Sequence, residues 1–134
     1  MDIRFFDDPL QGPRAPEDVR IVQLGLFIYP EARRLMFGIE LTPFRERPSI
    51  DVRLTNGRGE PAGSLSVIET MTPNFSLNLH LRDRETVNPY ELTAIVYYSA
   101  PDRDRTDIDQ RTIKFDALAA GERLFTFEDT GAAG

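Results

Sequence analysis

The chain has 134 residues, one histidine, no cysteine and a formal net charge of −6. A single domain of this length buries enough surface to fold without a metal or a cross-link, and the missing thiols exclude disulfides, thiolate nucleophiles, zinc–sulfur sites and iron–sulfur clusters. The 16 basic residues, all arginine except Lys114, are scattered along the chain, which excludes the clustered basic surface that nucleic acid requires.

No apolar run follows Met1 in the manner of a secretory signal, and no stretch approaches a membrane span, so the expected location is the cytoplasm. Residues 1–18 read as an N-terminal arm: a short apolar trio, Ile3, Phe5 and Phe6, then a loop containing Pro9, Gly12, Pro13 and Pro16. Residues 19–29 form the first long strand. Its apolar parity changes between Ile21 and Val22, which predicts a bulge there.

The next strand, about 34–42, alternates with Leu35, Phe37, Ile39 and Leu41 on one face. Period-2 alternation marks one dry face and one wet face. Residues 43–48 are a loop. Residues 49–55 repeat the pattern with Ile50, Val52 and Leu54 inward. Asn56-Gly57-Arg58-Gly59 is a hairpin turn, because Asn and Gly tolerate positive φ. The return strand is placed at about 64–71, with Leu65, Val67 and Met71 inward.

After a turn at 72–74, residues 75–82 alternate again, with Phe75, Leu77, Leu79 and Leu81 inward. A charged connector leads to Asn88-Pro-Tyr-Glu-Leu-Thr-Ala-Ile-Val-Tyr-Tyr-Ser99. This stretch is apolar on both faces and therefore belongs in the middle of a sheet. A loop at 100–110 and a strand at 111–116 follow. Residues 117–134 read as a C-terminal segment with a helical turn at 117–121, a short strand around Leu124, Phe125 and Phe127, and a frayed end.

Seven core strands within about 100 residues, with turn signals every eight to twelve and no helical segment between them, predict an all-β, seven- to eight-stranded antiparallel Greek-key sandwich over residues 19–116. The segment from Asn88 to Tyr97 resembles the sixth strand of fibronectin type III and immunoglobulin-like domains, where a proline and an aromatic residue precede an apolar strand in the same way. The resemblance implies an immunoglobulin-like architecture. The antibody Cys pair and core Trp are absent, so nothing beyond architecture follows from it. An eight-stranded sandwich of the C2 type is the alternative.

Alternating strand direction gathers loops 43–48, 72–74 and 100–110 and the N-terminal arm at one end, where sandwich domains commonly carry function. Phe44, Arg45 and Arg47 are the binding candidates in the first of these loops. In the third, Asp102, Asp104, Asp107 and Asp109 offer hard oxygen ligands for Ca²⁺, although the spacing is not that of an EF-hand and neighbouring arginines offset the charge. A second candidate surface is the outer face of the central strand, where Ile95 and Tyr97 form an apolar pair flanked by Asp51 and Arg53 on one side and Thr112 and Lys114 on the other. Such a ringed pair suits a protein partner or a second copy of the chain, unless the arm or residues 123–127 cover it.

His80 shares a face with Ser76, Asn78 and Arg82 and reads as an exposed strand residue. No nucleophile elbow accompanies it, and the glycines at 57 and 59 open no helix, so they are not a phosphate cradle. The expectation is a non-enzymatic binding or protein-interaction module without a cofactor, its small-molecule ligand, if any, unknown. The alternative is a carbohydrate- or Ca²⁺-binding module that uses the end loops.

Overall fold

The computed structural model describes residues 12–29, 34–83, 85–117 and, as backbone, 123–127. The apolar trio Ile3, Phe5 and Phe6, the Ala-rich residues 118–121 and the C-terminal end lie outside the described residues. A 3-10 turn at Pro16–Asp18 precedes eight strands: β1 (Ile21–Ile28), β2 (Arg34–Leu41), β3 (Ser49–Thr55), β4 (Pro61–Val67), β5 (Asn74–His80), β6 (Tyr90–Ala100), β7 (Arg103–Phe115) and β8 (Arg123–Phe127). They form two antiparallel sheets, ordered β5-β2-β1-β8 and β4-β3-β6-β7. Hairpins join β1 to β2, β3 to β4 and β6 to β7, while the chain crosses between sheets in the segments 42–48, 68–73 and 81–89. This is the expected all-β antiparallel Greek-key sandwich. Among the described residues no helix is long and apolar enough to cross a membrane.

Side-chain alternation builds the core. Leu35, Phe37, Ile39 and Leu41 of β2 pack toward Ile50, Val52 and Leu54 of β3 and Leu92, Ala94 and Val96 of β6. Phe75 and Leu77 of β5 close one side, half-buried against the same cluster. The expected bulge is present: Ile21 pairs with Leu41 and Gln23 with Glu40, leaving Val22 as the extra residue.

Two polar devices fix the ends of this sandwich. At one end Tyr90 is fully buried and stacks on Phe115 at 5.7 Å between centroids. Its hydroxyl donates to Asp83 Oδ2 at 2.8 Å and accepts the Val87 N–H at 3.0 Å. A tyrosine hydroxyl that reaches back to backbone just before its own strand is the tyrosine corner of immunoglobulin-like sandwiches. The Asn56 carbonyl accepts the Arg58 and Glu60 amides, and its NH₂ donates to Glu60 and Asp83. Gly57 donates its N–H to Val87 O at 2.7 Å. A Cβ at this position would overlap the Asn88 carbonyl, so the hairpin turn can approach the connector this closely only at glycine.

The second device bridges the sheets. Among the described residues, β1 pairs with β8 from Phe27 opposite Arg123 to Gln23 opposite Phe127. Just beyond, Ile21 donates its N–H to Asp109 Oδ2 at 2.9 Å, and its carbonyl accepts Arg111 at 3.0 Å. Asp109 and Arg111 lie opposite Val96 and Ala94 on the inward face of β7. A buried backbone group without a partner costs about 1–3 kcal/mol, and these two inward charges satisfy the backbone of the buried Ile21.

Three expectations are corrected. The return strand is not 64–71 but Pro61–Val67. Met71 therefore leaves the pleat and stands 77% exposed instead of inward. The loop expected at 100–110 shrinks to a tight turn, because β7 begins at Arg103 and runs for 13 residues. Its alternating Asp and Arg residues are polar on both faces, and pairing with the long β6 holds them extended.

Candidate functional site

One end of the sandwich collects the described part of the arm, loop 42–48, loop 68–73 and the β6–β7 turn. Hydrogen bonds knit them together. Arg14 N–H donates to Pro43 O and Arg45 N–H to Arg14 O, each at 3.0 Å, and Thr42 N–H donates to Arg20 O at 2.9 Å. Arg45 Nε reaches Pro13 O at 3.3 Å. Phe44 makes a parallel bridge with Arg14 and packs half-buried against the core. Phe44 and Arg45 thus hold the loop to the arm, whereas Arg47 points into the space the loops enclose.

That space is a groove of about 660 Å³, within the usual range for ligand clefts. Glu17, Glu46, Arg47, Glu69, Arg103 and Asp104 supply its charges, and Tyr98, Thr106 and Ile108 supply its floor. The Tyr98 hydroxyl donates to Glu46 O at 2.8 Å. Burial and the nearby Glu46 carboxylate push this phenol up to about 12, so it remains a neutral donor at ordinary pH. None of the six charged side chains makes an ion pair with a described residue.

The outer face of the β4-β3-β6-β7 sheet is the opposite case. Ile95 and Tyr97, expected as an open apolar pair, are only 6% and 8% exposed. The Arg105 guanidinium lies over the Tyr97 ring at 3.9 Å, and it bonds Asp107 and Asp51, each at 2.7 Å. Asp51 also accepts Arg53 at 3.2 Å and the Ser66 hydroxyl at 2.8 Å. Ile95 faces Gln110, and a bulge between Val96 and Tyr97 shifts the register so that Tyr97 faces Asp107. Thr112 and Lys114 sit lower, opposite Thr93 and Glu91, where Lys114 lies 3.6 Å from Glu91. The charges of this face are consumed within it.

Asp51 makes the network sensitive to acid. Burial alone would raise its carboxyl, but hydrogen bonds from Ser66, Arg105 and Arg53 outweigh burial and hold it below the ordinary 3.8. A carboxylate depressed in the folded state stabilises fully above its unfolded value. That contribution is lost as pH falls through the folded value. Asp51→Asn is expected to cost about 1 kcal/mol at neutral pH, with the gap from wild type closing toward about pH 2. Urea unfolding at the two pH values measures it, and a gap of equal size at both would contradict the assignment.

The four aspartates considered for Ca²⁺ are not brought together. Asp107 pairs with Arg105, Asp109 turns inward to Ile21, and Asp102 and Asp104 are exposed near the turn. Among the described residues no group of three or more His, Asp or Glu side chains could hold a metal. His80 is exposed, opposite Arg34 in the β2–β5 register.

The groove residues that sequence reasoning did not single out are Glu17, Glu46, Glu69, Tyr98, Arg103, Thr106 and Ile108. Glu46 lies in a loop expected at this end and Arg103 in the stretch expected as loop 100–110, whereas Glu69 and Tyr98 fall in stretches expected as strands. Glu17, however, arrives on the 3-10 turn, and Thr106 and Ile108 belong to a strand that was expected as loop. Only the three-dimensional meeting of the arm with β7 identifies them.

No protein-family description matches the chain, and no curated protein is significantly similar to it in sequence. A solved structure shares its fold. A Bifidobacterium dentium β-glucuronidase complexed with coumarin-3-O-glucuronide superposes with a TM-score of 0.52 at 15% identity, over 74% of this chain and 18% of that one. The Ruminococcus gnavus β-glucuronidase gives 0.43 at 15% identity, over 74% of this chain and 16% of that one. The chain therefore spans less than a fifth of the length of either enzyme, and what the B. dentium structure shares with it is the fold alone.

Proposed function

We propose that this chain is a non-catalytic, immunoglobulin-like binding module whose working surface is the groove between the arm, loops 42–48 and 68–73 and the β6–β7 turn. The strand order and the Tyr90 corner support the kinship with immunoglobulin-like and fibronectin type III domains. The observation that carries the binding surface is the contrast in charge use. On the outer sheet face the acids and bases are paired with one another, whereas the six around the groove are left for something else.

Carbohydrate contact is the second reading. A polar groove with a tyrosine in its floor can hydrogen-bond sugar hydroxyls, and the B. dentium neighbour is a glycosidase. The test is calorimetric titration with basic peptides, acidic peptides and neutral or uronic-acid oligosaccharides, repeated on Arg103→Ala/Asp104→Ala. One of these ligand classes is expected to bind, with affinity falling roughly tenfold in the double variant. Binding that survives that variant but disappears in Arg53→Ala/Lys114→Ala would move the surface to the outer sheet face and end the proposal.

A further inference from the structure

Loop 68–73, on the rim of the groove, is built in an unusual way. Glu69 has φ +50, the only non-glycine residue in the left-handed region among those described. Non-glycine residues adopt this conformation uncommonly, and they do so where the surroundings over-determine it. Here Glu69 N–H donates to the buried Ser49 Oγ at 3.0 Å, and Thr70 N–H donates to Pro48 O at 2.9 Å. Thr70 is itself buried, and its hydroxyl donates to Thr72 O at 3.0 Å. The Thr72 hydroxyl donates to Asn74 O at 3.1 Å.

The result is a stiff turn that holds Ile68 at 66% and Met71 at 77% exposure, on either side of a residue lining the groove. Core burial does not explain them. A side chain that folding leaves in water, on a backbone held rigid, is pre-ordered for contact. Methionine adapts readily to an apolar partner surface.

Resting on the groove reading above, we infer that the partner is a protein segment carrying basic side chains next to apolar ones. The bases would meet the groove, where Glu17, Glu46, Glu69 and Asp104 outnumber Arg47 and Arg103, and the apolar residues would pack on Ile68 and Met71. A second copy of the chain fits poorly, because it would set the same net-negative rim against itself. A sugar would satisfy the charges but leaves the two apolar tips unused.

The probe is a short fluorescent peptide alternating Lys and Leu, titrated against the whole chain by anisotropy, with a Glu-for-Lys peptide as control. Ile68→Ser/Met71→Ser changes only exposed side chains, and its melting temperature should match wild type. The basic peptide is expected to bind, to weaken roughly tenfold in that double variant, and to weaken with added salt and in Glu46→Gln/Asp104→Asn. Full binding by Ile68→Ser/Met71→Ser with weakened binding by Glu46→Gln/Asp104→Asn would overturn this inference while sparing the groove. Indifference to both variants would overturn both. Equal binding of the acidic peptide, or no binding of the basic one up to millimolar concentration, would overturn the partner class. So would a wild-type dimer in sedimentation that the serine variant dissolves.

Discussion

Tyr90→Ala is expected to lower stability by about 3–5 kcal/mol, the range for truncating a fully buried aromatic residue. A domain of this kind has only about 5–15 kcal/mol in total. The ring fills the end of the core against Phe115, and the hydroxyl ties the connector to the start of β6 by bonding both Asp83 and the Val87 amide. Tyr90→Phe separates the two contributions. It keeps the ring and leaves the Val87 N–H and the Asp83 carboxylate without that partner, at a cost of about 1–3 kcal/mol. Urea unfolding of the three proteins measures the difference. A Phe variant as stable as wild type would show that the corner packs but does not pin the connector.

Asp109→Ala is the next most damaging change, at about 1–3 kcal/mol, because it strands the buried Ile21 amide. Asp109→Asn is expected to lose less than half as much, since its amide carbonyl can still accept from Ile21. The prediction is specific to the inter-sheet bridge. Were Asp109 held only by solvent, Ala and Asn would both be neutral in thermal unfolding. The bridge also bears on the groove, because it fixes β1 and the arm, with Glu17, against β7.

Much of this fold could be read before any coordinates. Strands β2, β3 and β5 have strict two-residue alternation, and burial of one face is a local consequence of it. The bulge at Val22 showed as a change of parity, and β6 showed as a run apolar on both sides. What stayed hidden was set by tertiary contact. Residues Arg103 to Asp109 carry almost no apolar pattern, so nothing local distinguishes an edge strand from a charged loop. Met71 falls on the inward parity only if the strand continues, and the left-handed turn at Glu69 stops it.

The site was legible in outline and not in detail. The end at which the loops gather followed from strand direction alone, and Arg47 was placed in it. The apolar pair Ile95 and Tyr97 looked open because the covering group, Arg105, comes from a register that the bulge between Val96 and Tyr97 displaces. Pairing of charges, which separates the sheet face from the groove, depends on distances of a few ångströms that spacing along the chain does not encode.

The most direct test of the groove as the working surface is a map of backbone amide shifts by NMR during titration of the Lys–Leu peptide. The account predicts perturbations concentrated at Glu17, Glu46, Arg47, Glu69, Tyr98, Arg103 and Asp104, with Arg53, Thr93 and Lys114 silent. Perturbations centred on those three sheet-face residues, with the loop end unmoved, would contradict it.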